Sequence, residues 1–281
     1  PLIHDNKPRP LPALDFDTNG NLDVPPVWVS RLEIWENLAA EEPIRVVDLR
    51  RGLNIVWAPD AVPEGKDDEG PPEDITGHCA GKTLFTRLLR YCLGESTFAT
   101  KEVRAAIRDE LHDGYVLAQV HLEGEKWAVA RPLGAVRSSY AAVGADLAAL
   151  RDDLPSKTSY DEFRVALEGR LDRMPVGAIP GKKTMPVSWL MLLAWAARDQ
   201  YCHFESIYTW RSTRSGSDPL NFEKPKEDPV FLIRLILALI TGDEVGKEEK
   251  LAAALIELER LYGEIEDRKR DAHTILNEGR A

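Results

Sequence analysis

Apolar and polar residues alternate from Val27 to Ile34, the period of a half-buried strand, and Ile44–Leu49 and Leu53–Trp57 read as two more. Between Pro59 and Asp74 the chain is dense in Pro, Gly, Asp and Glu, the composition of a solvated loop. Apolar positions at helical spacing then begin at Leu84 and run through Phe85, Leu88 and Leu89 to Cys92, with Gly94 placed to end the helix. Thr100 can cap a second helix reaching about His112, and Tyr115–Leu122 with Lys126–Arg131 predicts a hairpin around Glu123-Gly124-Glu125. After Ser138 the pattern is helical over roughly 139–153, 159–173, 186–202 and 228–241, with no internal repeat.

The two ends of the chain have their own textures. Residues 1–26 hold six prolines and no sustained apolar period, which predicts an extended N-terminal arm or a disordered tail. Near the other end Leu251, Leu258, Ile265 and Ala272 recur every seven residues, with Ala254, Leu261, Arg268 and Ile275 three places later. That is the pattern of a coiled-coil start, with Arg268 out of character at the seam; a single amphipathic helix closing the domain is the alternative. The division expected is an arm over 1–26, an α/β lobe over 27–137, a helical lobe over 138–245 and a coiled-coil start over 246–281.

Composition narrows the classes. With 281 residues, 43% hydrophobic and 30% charged, the chain is long enough and apolar enough for a sizeable core. Its net charge of −11 excludes an overall basic coat for nucleic acid but leaves room for a local patch, for which Arg164, Arg170, Arg173, Lys182 and Lys183 are candidates against a plain solvated helix face. The longest apolar runs, Val187–Ala197 and Val230–Ile240, fall far short of the roughly 20 residues needed to cross a bilayer. No basic stretch followed by an apolar run opens the chain, so no signal peptide is expected. Three cysteines, Cys79, Cys92 and Cys202, lack the spacing of a disulfide framework or a zinc site, and the expected location is the cytoplasm, with no membrane partner.

The candidate chemistry sits in Gly77-His78-Cys79-Ala80-Gly81-Lys82-Thr83-Leu84, between the expected strand and the first helix. Successive backbone N–H groups opening into a helix N-terminus cradle phosphate oxygens. Gly81 permits close approach, Lys82 reaches the β- and γ-phosphates of ATP, and the Thr83 hydroxyl ligates Mg²⁺. The sequence departs from the phosphate-loop pattern at Thr76, where glycine is normal, and in the acidic loop that replaces a direct join. The backbone N–H field would favour the thiolate of Cys79, although a small space-filling residue is an equal reading.

Trp28-Val29-Ser30-Arg31-Leu32-Glu33-Ile34, Gly52-Leu53-Asn54-Ile55-Val56, Gly81-Lys82-Thr83 and Leu88-Leu89-Arg90-Tyr91-Cys92-Leu93-Gly94, in that order, resemble the opening of an SMC-like ATPase head. These are the ABC-type ATPases of chromosome maintenance, RecN and RecF repair proteins and related antiphage defence ATPases. The likeness covers about residues 27–95, and the rest only by layout. It implies a P-loop ABC-type N-terminal lobe, a mixed sheet around a P-loop helix, followed by a helical lobe with a glutamine loop and a coiled coil. Gln200 would then sense Mg²⁺ and the γ-phosphate, with Gln119, mid-strand in the hairpin, as competitor.

In such heads ATP is hydrolysed between two copies, using a Leu-Ser-Gly-Gly-type signature and a strand ending in Asp-Glu. Ser215-Gly216-Ser217 is no such signature, and in Leu237–Ile240 followed by Thr241-Gly242-Asp243-Glu244 a Thr-Gly pair interrupts a run that reads as helix. The resemblance therefore implies the N-terminal half of a head. The catalytic Glu and signature Ser would come from a C-terminal half, in the same or another chain, and the partners implied are a second head, double-stranded DNA and other subunits. A scaffold subunit that holds nucleotide without turnover is the alternative; a small-molecule kinase is a weaker third, lacking a substrate lid.

Overall fold

The computed structural model describes residues 26–56, 81–136, 138–153, 160–174, 177–179, 185–198, 207–217, 220–237, 239–240 and 242–278. Its centre is an antiparallel five-stranded sheet in the order β2-β1-β3-β4-β5. The strands are β1 (Val27–Trp35), β2 (Arg45–Asp48), β3 (Tyr115–Leu122), β4 (Glu125–Pro132) and β5 (Tyr140–Val143). The β3–β4 hairpin turns on Glu123 and Gly124, both at positive φ (54° and 87°), the geometry that matches the twist of paired strands. Both strands are buried almost throughout, because each sheet face is covered.

Alternation along β3 decides which residue serves which face. Val116, Ala118, Val120 and Leu122 point into one core with Leu88 and Cys92 of α1 (Lys82–Cys92) and Phe163 and Leu167 of α4 (Tyr160–Glu168). Tyr115 and Leu117 point the other way, into a smaller core with Trp35, Ala128 and Ala130 that Leu147 and Leu150 of α3 (Leu147–Asp152) close. The helix α2 (Lys101–Glu110) has no fully buried residue and rests on the first core through Ile107.

A separate core lies further along the chain. It joins Ile179 of the short β6–β7 ladder (Ala178–Ile179 with Met185–Pro186), Met191 and Ala194 of α5 (Trp189–Ala196), Trp210, and Leu232 and Leu235 of α6 (Glu227–Ile236). The last element, α7 (Gly242–Glu278), is 37 residues long. From Leu251 to His273 every residue whose exposure is described is exposed, so the seam positions Leu251, Leu258 and Ile265 face solvent.

Several elements differ from expectation. Residues 53–56 form no strand: Leu53 and Ile55 are 74% and 80% exposed, and β2 already occupies the β1 edge they would need. Instead Asn54 closes a local turn, its side chain accepting from the Arg50 N–H and donating to the Arg50 and Gly52 carbonyls, with Gly52 at φ 92°. The expected helix over 139–153 is split. Tyr140–Val143 pairs with the free edge of β4, Gly144 (φ 73°) turns the chain, and Asp146 caps the short α3 by accepting from Ala149 N–H at 2.8 Å. A strand of Tyr-Ala-Ala-Val gains more from an open sheet edge than from one helical turn. The helix expected from 159 tightens at Gly169 into a 3-10 turn, Gly169–Arg173. Those expected over 186–202 and 228–241 stop at Ala196 and Ile236.

Candidate functional site

The start of α1 is built by Gly81. It holds a left-handed backbone, φ 71° and ψ 13°, immediately before Lys82, and nothing lies within 4 Å of where its Cβ would be. The left-handed turn is the one glycine adopts without penalty, and the open space lets a ligand approach the backbone closely. The N-cap position, Gly81, makes no side-chain cap bond, and no acidic residue stands in the first turn. The first intrahelical bond runs from Phe85 N–H to the Gly81 carbonyl at 2.8 Å, so the preceding N–H groups fall among those a helix leaves without an internal partner. Lys82 is exposed beside them; Thr83 and Leu84 are half-buried. Uncapped N–H groups, the positive helix end and a lysine favour an anion.

The other half of α1 is fixed. Arg90 is fully buried; its Nε donates to Glu95 at 3.1 Å and a terminal nitrogen to the Ser217 hydroxyl at 3.1 Å. The other oxygen of Glu95 takes a 2.6 Å bond from Arg211. A guanidinium of Arg87 reaches the Arg214 carbonyl at 3.1 Å, and the Thr97 hydroxyl donates to the Gly216 carbonyl. Gly216 (φ 67°) passes so close to Ala99 that a Cβ there would stand 2.1 Å from its carbonyl carbon. The segment 211–217 thus clamps the C-terminal end of α1 through a three-membered Arg–Glu–Arg ion network.

A second arginine braces the same helix from the sheet. The Arg131 guanidinium lies 3.8 Å from the Tyr91 ring centroid and 4.3 Å from that of Tyr160, donating to the Tyr91 carbonyl and the Tyr160 hydroxyl. Burial pushes the Tyr160 phenol up to about 12 and raises that of Tyr91, with Arg131 opposing both shifts. Burial likewise pushes the Cys92 thiol up to about 12, which leaves it an inert core residue.

Of the residues expected in the nucleotide site, the structure brings Gly81, Lys82, Thr83 and Leu84 together at one helix end. Gly77, His78, Cys79, Ala80 and Gln200 lie outside the described residues. Gln119 is buried in β3, where its amide donates to the Trp127 and Ala145 carbonyls at 2.9 and 3.1 Å, a structural use. In the candidate basic cluster Arg164 stands 3.7 Å from Asp161, and Arg170 pairs with Glu123 in the β3–β4 turn. Lys182 and Lys183 are outside the described residues, as is the side chain of Arg173. Glu244 opens α7 and pairs with Arg234 at 2.5 Å. Among the described residues no group of three or more His, Cys, Asp and Glu could hold a metal ion, and no helix is long and apolar enough to cross a membrane.

The Arg90–Glu95–Arg211 network and the Arg131 sandwich escaped sequence reasoning. Their one signal was two arginines, Arg87 and Arg90, interleaved with Leu88, Leu89 and Tyr91 on a helix otherwise read as apolar. No family model matches the chain, and neither a curated protein nor a solved structure does.

Proposed function

We propose that the chain is an ATP-binding subunit or head fragment of an SMC-like ATPase, a P-loop ABC-type lobe acting in the cytoplasm. It would couple ATP-gated engagement of two heads to DNA binding or processing, in repair, chromosome organisation or defence. The observation that carries this reading is the left-handed Gly81 at the uncapped start of α1, followed by Lys82 and Thr83. These residues fit a nucleotide phosphate with Mg²⁺: the N–H groups and Lys82 meet phosphate oxygens, and the Thr83 hydroxyl is the oxygen donor a hard cation prefers. The nucleotide supplies the driving free energy; the chain's own part is to position and neutralise it. Gln200 completes the Mg²⁺ shell in this proposal, and α7, with its exposed heptad leucines, begins the coiled coil.

One observation favours the second reading, a scaffold that holds nucleotide without turnover. The segment 53–56, expected as the strand feeding the phosphate loop, is exposed and unpaired. Equilibrium binding of Mg-ATP to the chain and to Lys82→Ala tests the common premise: saturable binding should fall at least about tenfold in the variant. Labelling of Cys79 in a Cys202→Ser background should be suppressed by Mg-ATP. Turnover that rises with double-stranded DNA in the complete assembly separates motor from scaffold. Equal binding by the chain and Lys82→Ala would remove both.

A further inference from the structure

Away from the start of α1, a cavity of about 280 Å³ opens between the C-terminal end of α1, the segment 96–98, α2 and the end of β4. Three arginines are among its described lining residues: Arg131 from β4, and Arg104 and Arg108, which lie four residues apart and so on one face of α2. Its other described polar side chains are Tyr91, Ser96, Thr97 and Ser139, and no Asp or Glu is among its described lining residues. Arg131 is 7% exposed and its Nε, like the Nε of Arg104, is buried without a hydrogen-bond partner. Buried donors are almost always satisfied, and guanidinium N–H groups that converge on one space without a carboxylate select an oxyanion. Glu102 is close enough to Arg104 to feel its charge but is fully exposed and does not line the cavity.

The contrast with a larger cavity, about 400 Å³, is instructive. There Lys224, Lys226 and Arg234 are accompanied by Glu227 and Asp228, so most of its charge is offset from within. In the smaller one it is not.

We propose that the cavity between Arg104, Arg108 and Arg131 is a second anion site, which binds a phosphate group, free or carried as a small phosphomonoester. Arg131 is the fixed wall, locked between Tyr91 and Tyr160, and Arg104 and Arg108 are the arms that close on the phosphate oxygens. Occupancy would tie α2, which has no fully buried residue of its own, to α1 and β4. The site does not depend on the nucleotide reading of Gly81–Thr83.

The test is calorimetric titration of the full chain carrying Lys82→Ala, which removes the lysine at the other anion site, with inorganic phosphate and separately with ribose 5-phosphate. One saturable site is expected, with affinity about tenfold or more lower when Arg104→Gln and Arg108→Gln are added, and an unchanged urea midpoint without ligand. Tighter binding of ribose 5-phosphate than of phosphate would identify a phosphomonoester; the reverse order, the free ion. No saturable binding of either probe, or equal affinity with and without the two glutamines, would overturn the proposal.

Discussion

The two ends of α1 belong to one eleven-residue helix and have opposite characters. At the first, Gly81 and Lys82 are exposed, and the N-cap position is a glycine with no capping side chain. At the last, Arg90, Tyr91 and Cys92 are buried, the Arg90 guanidinium is spent on Glu95 and Ser217, and the N–H groups of Leu93, Gly94 and Glu95 take the final carbonyls of the helix. For the first end to bind a ligand as proposed, its donors must stay unspent, and its stability then comes from elsewhere on the same rigid element. Here it comes one to three turns away, from the clamp and from the sheet core.

The sharpest way to break this contrast is to remove Glu95. Glu95→Ala takes the shared carboxylate from Arg90 and Arg211, two buried cations, and should cost about 3–5 kcal/mol, read from urea denaturation. Gly216→Ala attacks the same clamp sterically. A Cβ 2.1 Å from the Ala99 carbonyl carbon, on a left-handed backbone, should cost about 2–3 kcal/mol, because neither backbone can yield.

A smaller effect belongs to His121, which stacks on Trp28 at 4.1 Å between ring centroids and meets the Ser30 hydroxyl at 3.0 Å. Desolvation, then Lys126 and Arg51, hold its pKa below the ordinary 6.5. The unfolded chain therefore binds this proton more readily, so stability present above about 6.5 declines as pH falls through that value towards the lower folded one. Urea midpoints at pH 8 and pH 5 should differ less in His121→Gln than in the parent. The smallest change in stability is expected at the binding end itself. Lys82→Ala should alter it by no more than about 0.5 kcal/mol, read from the same curves, while the proposed nucleotide binding falls at least about tenfold. A large loss of stability there would mean that Lys82 is structural and that the two ends are alike.

The same division explains what the sequence disclosed. β1, the β3–β4 hairpin and α1 carry strong local periods, and the hairpin also carries its turn residues, so they were legible within a residue or two. Tyr140–Val143 was not, because Ala-rich residues have no period of their own and the open edge of β4 decided their state. Leu53–Val56 failed for the converse reason: the alternation was there, but no edge was left to pair with. At the candidate site, the helix start at Gly81-Lys82-Thr83 was legible because helix starts are local devices. Glu95 with Arg211, 116 residues apart, and Arg131 with Tyr160 are products of tertiary packing, for which no spacing rule exists.

Helix α7 has a mechanical consequence. Its 37 residues, at about 1.5 Å of rise each, make a rod some 55 Å long. Glu257–Arg260, Glu266–Lys269 and Asp267–Arg270 pairs stiffen its surface between turns. At its base the Arg234–Glu244 ion pair ties the rod to α6, and a rod held there would act as a lever. A tilt of about 10° there would sweep the far end through roughly 10 Å, so adjustments no larger than a side-chain rearrangement at the pivot become displacements wider than a helix radius at the tip.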